Sequence, residues 1–434
     1  MGKHKNIKKQ ISKESTISLK QANRRTRPKY KIPTRFSYGF WRIFFTVWAR
    51  LLNITPDKQS IIEMNNIDGP ILALGAHVNG IDFAGMLATL KNKRIAFVVS
   101  ASLFYEKFIS GFVRLLGNII PKKQFSADFE CIKAMKFFID NGISIGIYPE
   151  GRVSIDGKSG DIADSTIKLI KYLGVPVVFS YTPGGYLQRP RYANKMRKGN
   201  RLTAYSKLIL SKEQVQQMGI PEIREVVKEA FCYNEMEYQE NEKLSFIPKS
   251  RKIALTYGLD FLLHQCPKCL AECSMEATSY SEMRCKKCGN TISIDSYGHI
   301  YPVKEGDFCY DRIDKWYDFQ RDYLWRIIEA SENYSRSVKV DLLINDESKF
   351  AFEKVDSGTL TIDKNGFCFE GDVFQGLSMS IKESPYITVR LGKHIDFFVD
   401  YKIYRFIFEE KGEPAGFNLA AELLHNKYHR IEKL

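Results

Sequence analysis

The 434-residue sequence lacks a hydrophobic run long enough to cross a membrane. Its best candidate, FSYGFWRIFFTVWARLL at residues 36–52, is interrupted by Arg42 and Arg50 and is too short for about 30 Å of hydrocarbon. A secretory signal is also absent, because the charged start is too long and no small-residue cleavage site follows the first apolar stretch. These absences lead us to expect a cytoplasmic chain without a membrane-spanning helix.

Cysteine is scarce too, and its placement does not indicate a disulfide framework. Of nine cysteines, four form CPKC (266–269) and CKKCG (285–289), separated by fifteen residues, and the others are scattered. Two such pairs wrap one tetrahedral zinc ion, with Gly289 allowing the tight turn, in a reducing compartment. We therefore predict a structural zinc ribbon over residues 260–300, with Cys273 as a spare candidate. The predicted ligands are Cys266, Cys269, Cys285 and Cys288. Four thiolates leave no open coordination position, which argues against catalysis by the metal.

Acidic residues are nearly missing from the first 35 positions, where twelve Lys or Arg stand against Glu14. This arm carries +11 of the net +15 and leaves +4 for the remaining 399 residues. Such an arm is disordered alone and seeks polyanions, either nucleic acid or an anionic membrane face, although a solubilising tail also fits. The aromatic segment that follows, residues 36–60, predicts either an amphipathic helix at the membrane interface or an ordinary core helix.

Short apolar runs alternate with helical stretches between residues 61 and 250. The strand-like runs are ILALGA (71–76), IAFVVS (95–100), GISIGIYP (142–149) and VPVVFSY (175–181). This pattern predicts an α/β fold with a mainly parallel mixed sheet flanked by helices, and ligand sites at the carboxyl ends of its strands.

After the ribbon, residues 301–335 predict a helical linker and residues 336–434 a small antiparallel β domain with a C-terminal helix. KNG at 364–366 supplies a hairpin turn signal in this region. The element order is similar in outline to pleckstrin-homology-like modules, a likeness that rests on order alone.

The stretch GAHVNGIDFAGM, residues 75–86, places His77 at the end of a core strand and Asp82 at the start of a helix. A histidine in that position is most often a packed core residue. However, the turn through Asn79 and Gly80 allows the carboxylate to fold back onto the imidazole. A carboxylate on one ring nitrogen fixes the tautomer and leaves the other nitrogen free to take a proton.

A second motif, IYPEGRVSIDGKSG at 147–160, follows another predicted strand. Its Glu150-Gly151 turn, with Arg152 and Ser154, offers a close backbone approach, a guanidinium and a hydroxyl. These groups suit a phosphate ligand, although an ordinary Gly-containing turn has the same composition.

Together the two motifs resemble the glycerolipid acyltransferase family, which includes lysophosphatidate and glycerol-phosphate acyltransferases. The family pattern is NHxxxxD, a middle block with a basic residue, FPEGTRS, and an apolar strand of the VPVVPV kind. The matching blocks here are HVNGID (77–82), LLGNIIPKK (115–123), YPEGRVS (148–154) and LGVPVVFSYTPG (173–184). The resemblance covers about residues 36–210. Ala76 replaces the family's Asn, and the arginine of EGRVS comes one position early.

The resemblance implies an O-acyltransferase of phospholipid biosynthesis. Such an enzyme moves a fatty acyl group from acyl-CoA or acyl carrier protein to the hydroxyl of a lysophospholipid or glycerol-phosphate-type acceptor. His77 would be the general base and Asp82 would orient it, while backbone amides near Asn79 and Gly80 are candidates for oxyanion donors. Arg152 would bind the acceptor phosphate. The other implied substrate-binding residues are Lys122, Lys123, Glu150, Gly151 and Ser154.

The basic arm and the aromatic helix then predict a peripheral protein on the inner face of the membrane, bound to an anionic surface. A second basic run at 188–201, with six positive charges, suits lipid headgroups or the phosphates of CoA, or is simply solvated. Two other functions stay open. A nucleic-acid-binding zinc-ribbon protein fits the sequence pI of about 9.2, but the α/β region lacks aromatics interleaved on a basic strand face. An inactive scaffold on the same fold is disfavoured because His77 and Asp82 are both intact.

Overall fold

The computed structural model describes Ile32 and residues 34–105, 119–122, 128–346, 351–382, 386–399 and 402–429. Most of the predicted basic arm lies outside these residues, and so does Lys123. The predictions made for the arm and for Lys123 therefore stay predictions.

A seven-stranded mixed sheet organises the first half of the chain. The strands of this half are β1 (Ile54–Pro56), β2 (Leu72–Gly75), β3 (Ile95–Ser100), β4 (Ile119–Lys122), β5 (Ser144–Ile147), β6 (Val177–Tyr181), β7 (Arg197–Gly199), β8 (Leu202–Leu210) and β9 (Phe246–Pro248). The sheet order is β1-β8-β6-β2-β5-β3-β4, while β7 and β9 pair separately. Strands β6, β2, β5, β3 and β4 run parallel, whereas β8 is antiparallel to β6. The prediction of a mainly parallel mixed sheet is confirmed.

Helices cover this sheet, and several of them begin at a side chain that caps their free amides. The helices are α1 (Arg35–Leu51), α2 (Lys58–Asn65), α3 (Asp82–Thr89), α4 (Phe129–Asp140), α5 (Asp164–Leu173), α6 (Gly185–Gln188), α7 (Lys212–Gln217), α8 (Ile220–Ala230) and α9 (Glu235–Glu242), with a 3₁₀ helix at Ala101–Tyr105. Asp57 caps α2, Asp128 caps α4, and Ser211 forms a capping box at α7. The helix α1 ends at Leu51, so the predicted amphipathic helix over 36–60 is shorter than expected.

The central strands are apolar throughout because neither face meets water. Every residue of β2, β5 and β6 is buried. Such strands carry continuous runs of apolar residues rather than an alternating pattern, which is why the sequence identified them. Their carboxyl ends are adjacent, since β2 pairs with β5 on one side and with β6 on the other.

The middle of the chain folds as a small antiparallel sheet followed by a long helix. Its elements are α10 (Leu259–Leu262), β10 (Met275–Ala277), β11 (Glu282–Cys285), β12 (Thr291–Ile294), β13 (Ile300–Pro302) and α11 (Ile313–Ala330). Trp316 of α11 is fully buried, and its indole Nε1 donates to the Gln265 carbonyl at 3.0 Å. This bond holds the helix against the segment between α10 and β10.

The last part of the chain is an antiparallel sheet closed by a helix, as predicted. Its elements are β14 (Arg336–Asp346), β15 (Ala351–Asp363), β16 (Gly366–Gly371), β17 (Leu377–Met379), β18 (Thr388–Arg390), β19 (His394–Val399), β20 (Lys402–Phe408) and α12 (Glu413–His429). The order is β17-β16-β15-β14-β20-β19-β18. In this order β14, the first strand of the domain along the chain, pairs with β20, the last. The KNG turn joins β15 to β16, with Gly366 at φ 119°.

One hydrophobic cluster connects these parts of the molecule. It runs from Ala49 of α1 through Ile292 of the four-stranded sheet and Trp316 of α11 to Leu342 of β14 and Phe417 of α12. A second cluster fills the space around β2, β5 and β6. Along the described part of the chain, no helix is both long and apolar enough to span a bilayer.

Candidate active site

His77 and Asp82 meet at the carboxyl end of β2. Nδ1 of His77 lies 2.9 Å from Oδ2 of Asp82, which stands in the first turn of α3. The five-residue spacing suffices because Asn79 holds the turn in place. The Asn79 amide donates to Asp82, and the side-chain oxygen of Asn79 accepts from the Ile81 amide. The side-chain nitrogen of Asn79 donates to the Gly185 carbonyl. The Asn79 amide is thus occupied, which leaves the predicted oxyanion role to Gly80.

The environment of the pair keeps His77 neutral. Burial lowers the pKa of His77 to about 4, although the charge of Glu150 opposes this shift. Burial raises the pKa of the Asp82 carboxyl, while the bond from the Asn79 amide and the charge of Arg189 lower it. The tautomer that directs the Nδ1 proton at Asp82 leaves the lone pair of Nε2 to accept a proton. The His77 side chain is 22% exposed and that of Asp82 only 4%, so the imidazole reaches solvent while the carboxylate is buried.

Glu150 holds the neighbouring loop against His77. This carboxylate is buried and accepts bonds from the His77 amide (2.9 Å), the Gly160 amide (2.7 Å) and the Tyr233 hydroxyl (2.9 Å). The ring of Tyr148, two positions earlier, stacks on the imidazole of His77 at 4.4 Å. Gly151 adopts φ 70°, a backbone conformation that favours glycine. Glu150 and Gly151 therefore shape the site through the backbone.

We expect removal of the Glu150 carboxylate to destabilise the protein markedly. Glu150→Ala leaves two partly buried amides and a tyrosine hydroxyl without an acceptor, a loss of about 3 kcal/mol in the free energy of unfolding. Tyr233→Phe removes one donor and keeps the carboxylate bonded to both amides, so its cost should be about 1 kcal/mol. Urea denaturation of both variants measures the difference, and equal losses would contradict this role of Glu150.

The side chains of Arg152 and Ser154, further along the same loop, bond to partners other than His77. Nη2 of Arg152 bonds Oε2 of Glu422 at 3.1 Å, and its guanidinium stacks 3.8 Å above the ring of Tyr386. The Ser154 hydroxyl donates to the Lys158 carbonyl and accepts from the Gly157 amide, so it closes its own turn. A cavity of about 230 Å³ between this loop, α11 and α12 is lined by both residues. The predicted phosphate contact of Arg152 stays a prediction.

Lys122 stands at the carboxyl end of β4, the edge strand of the sheet. Strands β5 and β3 lie between β4 and β2, so three strand spacings, or about 14 Å, separate the ends of β2 and β4. The sheet order therefore keeps Lys122 apart from His77.

Two arginines that the motifs did not single out approach the pair from the loop after β6. A Cβ at Gly80 would stand 2.7 Å from Nη1 of Arg189, so this guanidinium lies on the turn between His77 and Asp82. Arg191 donates to the carbonyls of Val153 and Val389. The sequence signal was present as the start of the basic run at 188–201, but nothing in that run distinguished these two residues from the solvated ones.

The four predicted cysteines form one cluster. The sulfurs of Cys266, Cys269, Cys285 and Cys288 all lie within 4.8 Å of one another. Cys266 is 3.7 Å from Cys288, and Cys269 is 3.6 Å from Cys285. Tetrahedral Zn–S bonds of about 2.3 Å place the sulfurs about 3.8 Å apart, so the spacing fits that ion. Gly289 has the predicted turn conformation at φ 74°. Cys273 is not part of the cluster and lies 4.0 Å from Nδ1 of His264.

Comparisons with known proteins give a consistent picture of the first half of the chain. Residues 56–179, which include His77, Asp82 and Glu150, match the family model described as Acyltransferase. The curated 1-acyl-sn-glycerol-3-phosphate acyltransferase BAT2, chloroplastic, of Brassica napus is 23% identical over 150 residues, which cover 33% of this chain and 42% of that protein. The chain thus spans less than half the length of this relative.

Among solved structures, the crystal structure of the 1-acyl-sn-glycerophosphate (LPA) acyltransferase PlsC from Thermotoga maritima is similar. It shares 18% sequence identity, and the match covers 44% of this chain and 72% of that chain with a TM-score of 0.32.

Proposed function

We propose an acyl-transfer function on the premise that residues 56–179, which match the Acyltransferase family model, form a domain of the glycerolipid acyltransferase type. In this proposal the protein moves a fatty acyl group from a thioester donor, acyl-CoA or acyl carrier protein, to the hydroxyl of a lysophospholipid or glycerol-phosphate-type acceptor. The observation that carries it is the 2.9 Å contact between His77 and Asp82 at the carboxyl end of a central strand.

The proposed chemistry requires one base and no covalent enzyme intermediate. Nε2 of His77 takes the proton of the acceptor hydroxyl, whose oxygen attacks the thioester carbonyl carbon. The tetrahedral intermediate collapses as the C–S bond breaks, and the thiolate takes the proton back from His77. Asp82 keeps the Nδ1 proton in place and stabilises the imidazolium that forms between these steps. Glu150 acts only by positioning the loop on which His77 depends.

The test of this function is acyl transfer by the purified protein. A labelled acyl-CoA or acyl carrier protein is supplied with a panel of lysophospholipids and glycerol phosphate, and products are separated by lipid chromatography. We expect one ester product with at least one phosphate-bearing acceptor. Retention of DNA or RNA with no product from any acceptor would instead favour the nucleic-acid-binding alternative.

We also propose that α1 lies at a membrane surface. One side of the helix packs on the protein through Tyr38, Phe45 and Ala49. The other side exposes a stripe of large apolar side chains at helical spacing, with Phe36 88% exposed. The exposed residues are Phe36, Phe40, Ile43, Phe44, Val47 and Leu51. An apolar stripe of this size next to a basic arm suits an anionic lipid surface on the cytoplasmic face.

Polar substitutions on this stripe should weaken membrane binding. Phe40→Ser with Ile43→Ser removes two large side chains from the lipid contact, and we expect at least a tenfold lower partition coefficient onto anionic vesicles. Phe129→Ser, at an equally exposed phenylalanine that begins α4, serves as the control and should change little. Vesicle flotation measures all three proteins, and unchanged partitioning of the double variant would refute the assignment of α1.

For the remaining parts we propose structural roles. The four-cysteine cluster is proposed to bind one zinc ion that holds β10 to β13 together. The zinc would be held by thiolates alone, so no step of the reaction passes through it. For the C-terminal domain we propose a pleckstrin-homology-like architecture, supported by the pairing of β14 with both β15 and β20 and by the closing helix α12.

A further inference from the structure

Three arginines without a salt-bridged carboxylate in the described part of the chain lie near the proposed active site. Arg189 and Arg191 come from the loop after β6, and Arg390 comes from β18 of the C-terminal domain. Among the residues that the structure describes, no carboxylate lies within 4.0 Å of any of these three guanidiniums. Arg189 donates to the side-chain oxygen of Asn194 at 2.9 Å, and Arg191 donates only to two carbonyls.

Two of these arginines are tied directly to the backbone around His77. The Arg189 guanidinium lies against Gly80, where a Cβ would come within 2.7 Å of it. Arg191 bonds the carbonyl of Val153, and the next amide, that of Ser154, donates to the His77 carbonyl at 2.7 Å. The second amino group of Arg191 bonds the Val389 carbonyl at 2.9 Å. Loops after β2, β5 and β6 and a strand of the C-terminal domain therefore converge on one spot.

Burial and neighbouring positive charges act against the charged forms of Arg189 and Arg191. Burial, and then the charge of Arg152, lower the pKa of Arg191 to about 9. Burial also lowers the pKa of Arg189; Asp82 opposes that shift and Arg390 adds to it. The carboxylates nearby are already engaged, Asp82 by His77 and Glu150 by three donors. A bound dianion would supply the missing counter-charge.

The motif arginine is poorly placed for the same task. Arg152 is bonded to Glu422 and stacked under Tyr386, and Tyr386 in turn donates to Asp161 at 3.3 Å. Releasing Arg152 for a phosphate would leave Glu422 with Arg321 as its remaining partner. By contrast, Arg189 and Arg191 are partly exposed and have neutral partners only.

We infer that Arg189 and Arg191, with Arg390 at the rim, bind a phosphate monoester next to His77, in place of the Arg152 contact that the family motif implies. The inference rests on the proposed acyl-transfer function for its link to catalysis. Guanidiniums bind phosphate oxygens through paired charge-assisted hydrogen bonds, and a phosphate held there places an attached hydroxyl near the imidazole. A phosphate monoester is carried both by a lysophosphatidate-type acceptor and by the 3′ position of CoA.

Binding measured on the whole protein tests the inference independently of turnover. The probes for calorimetry are a short-chain, soluble lysophosphatidate, CoA, and CoA without its 3′-phosphate. We expect Arg189→Gln to weaken binding of one phosphate monoester at least tenfold, and Arg189→Gln with Arg191→Gln about a hundredfold. The lysophosphatidate arm assigns the site to the acceptor, and a difference between CoA and its dephospho form assigns it to the donor.

Matched variants separate charge from structure. Arg191→Lys keeps the charge but loses the two-carbonyl geometry, so intermediate binding is expected. Arg326→Gln removes an exposed arginine of α11 and should bind like the parent. Thermal melting of each variant checks that it is folded. If the folded double variant binds the probes with the affinity of the parent, the inference is overturned. It is equally overturned if Arg152→Gln alone abolishes binding, or if the parent binds none of the three probes.

Kinetics then link the site to the reaction. In the Arg189 variant, KM for the phosphate-bearing substrate should rise more than KM for its counterpart without that phosphate, a monoacylglycerol acceptor in one arm and a dephospho-CoA thioester donor in the other. Arginine-dependent binding of the probes without acyl transfer to any acceptor would refute the proposed function and leave the phosphate site standing.

Discussion

His77→Ala is expected to reduce acyl transfer at least a thousandfold, the largest effect on activity that any single side chain of this site should have. Within the described part of the chain, the imidazole of His77 is the base bonded to Asp82, and positioned general bases contribute about 10² to 10⁴ in rate. Without it the acceptor hydroxyl must lose its proton to water. Initial rates with labelled thioester, with the products separated by lipid chromatography, measure the loss. His299→Ala, at an exposed histidine between β12 and β13, is the control and should match the parent.

Two further expected results test the role of His77 as the base. Asp82→Asn keeps a contact to Nδ1 but removes the charge that stabilises the imidazolium, so a loss smaller than that of His77→Ala is expected. Because the pKa of His77 is lowered to about 4, the base stays neutral down to mildly acidic pH. The rate should therefore be level from pH 8 to about 5.5 and fall as the pH approaches 4. Equal turnover by the parent and His77→Ala would remove His77 from the mechanism.

The same pKa has a consequence for stability with a definite sign. In the unfolded chain His77 takes a proton near its ordinary pKa of 6.5, whereas the folded protein resists this down to about 4. Between these values the unfolded state binds more protons, so the free energy of unfolding falls as the pH is lowered through this window. In His77→Ala this part of the pH dependence should be missing.

Removal of the metal is expected to have the largest effect on stability. Cys266→Ser deletes one of four thiols that lie within 4.8 Å of one another, and we expect zinc to fall from one ion per chain to nearly none. Structural zinc contributes about 10 to 16 kcal/mol of apparent folding free energy in zinc-finger peptides. A melting temperature lower by about 10 °C or more should follow, because Met283 and Ile292 of this sheet belong to the larger hydrophobic cluster.

Metal analysis and thermal melting measure both effects. Cys232→Ser changes an exposed cysteine outside the cluster and should leave zinc and melting temperature unchanged. Full zinc content in purified Cys266→Ser would show that Cys266 is not a ligand. Treatment of the parent with a strong chelator should reproduce the loss of stability seen in the variant.

Local features of the sequence predicted the parts of the molecule that local chemistry determines. The buried strands were recognisable because residues such as Leu72–Gly75 meet apolar neighbours on both faces. His77 and Asp82 could be paired because only a four-residue turn separates them, and the cysteines because two CxxC pairs place four sulfurs around one point.

What the sequence did not predict depends on contacts across long stretches of chain. The Tyr233 hydroxyl reaches Glu150 across 83 positions, and Arg152 meets Glu422 across 270. Arg189 lies on Gly80 because β6 is the neighbour of β2, which is a fact of strand order and not of periodicity. A motif names the residue types a reaction needs, but the partner that a given side chain takes is decided by packing.

The hydrophobic cluster that runs from α1 to α12 bears on how the protein responds to partial unfolding and to truncation. Ala49, beside the proposed lipid-facing stripe, and Phe417, in the closing helix, share one continuous interior. Such sharing favours cooperative unfolding of the parts that the cluster joins, because melting one of them exposes apolar surface of its neighbours. Truncation of the chain after the mixed sheet would expose apolar surface to water and promote self-association. The later segments therefore also keep the earlier ones soluble.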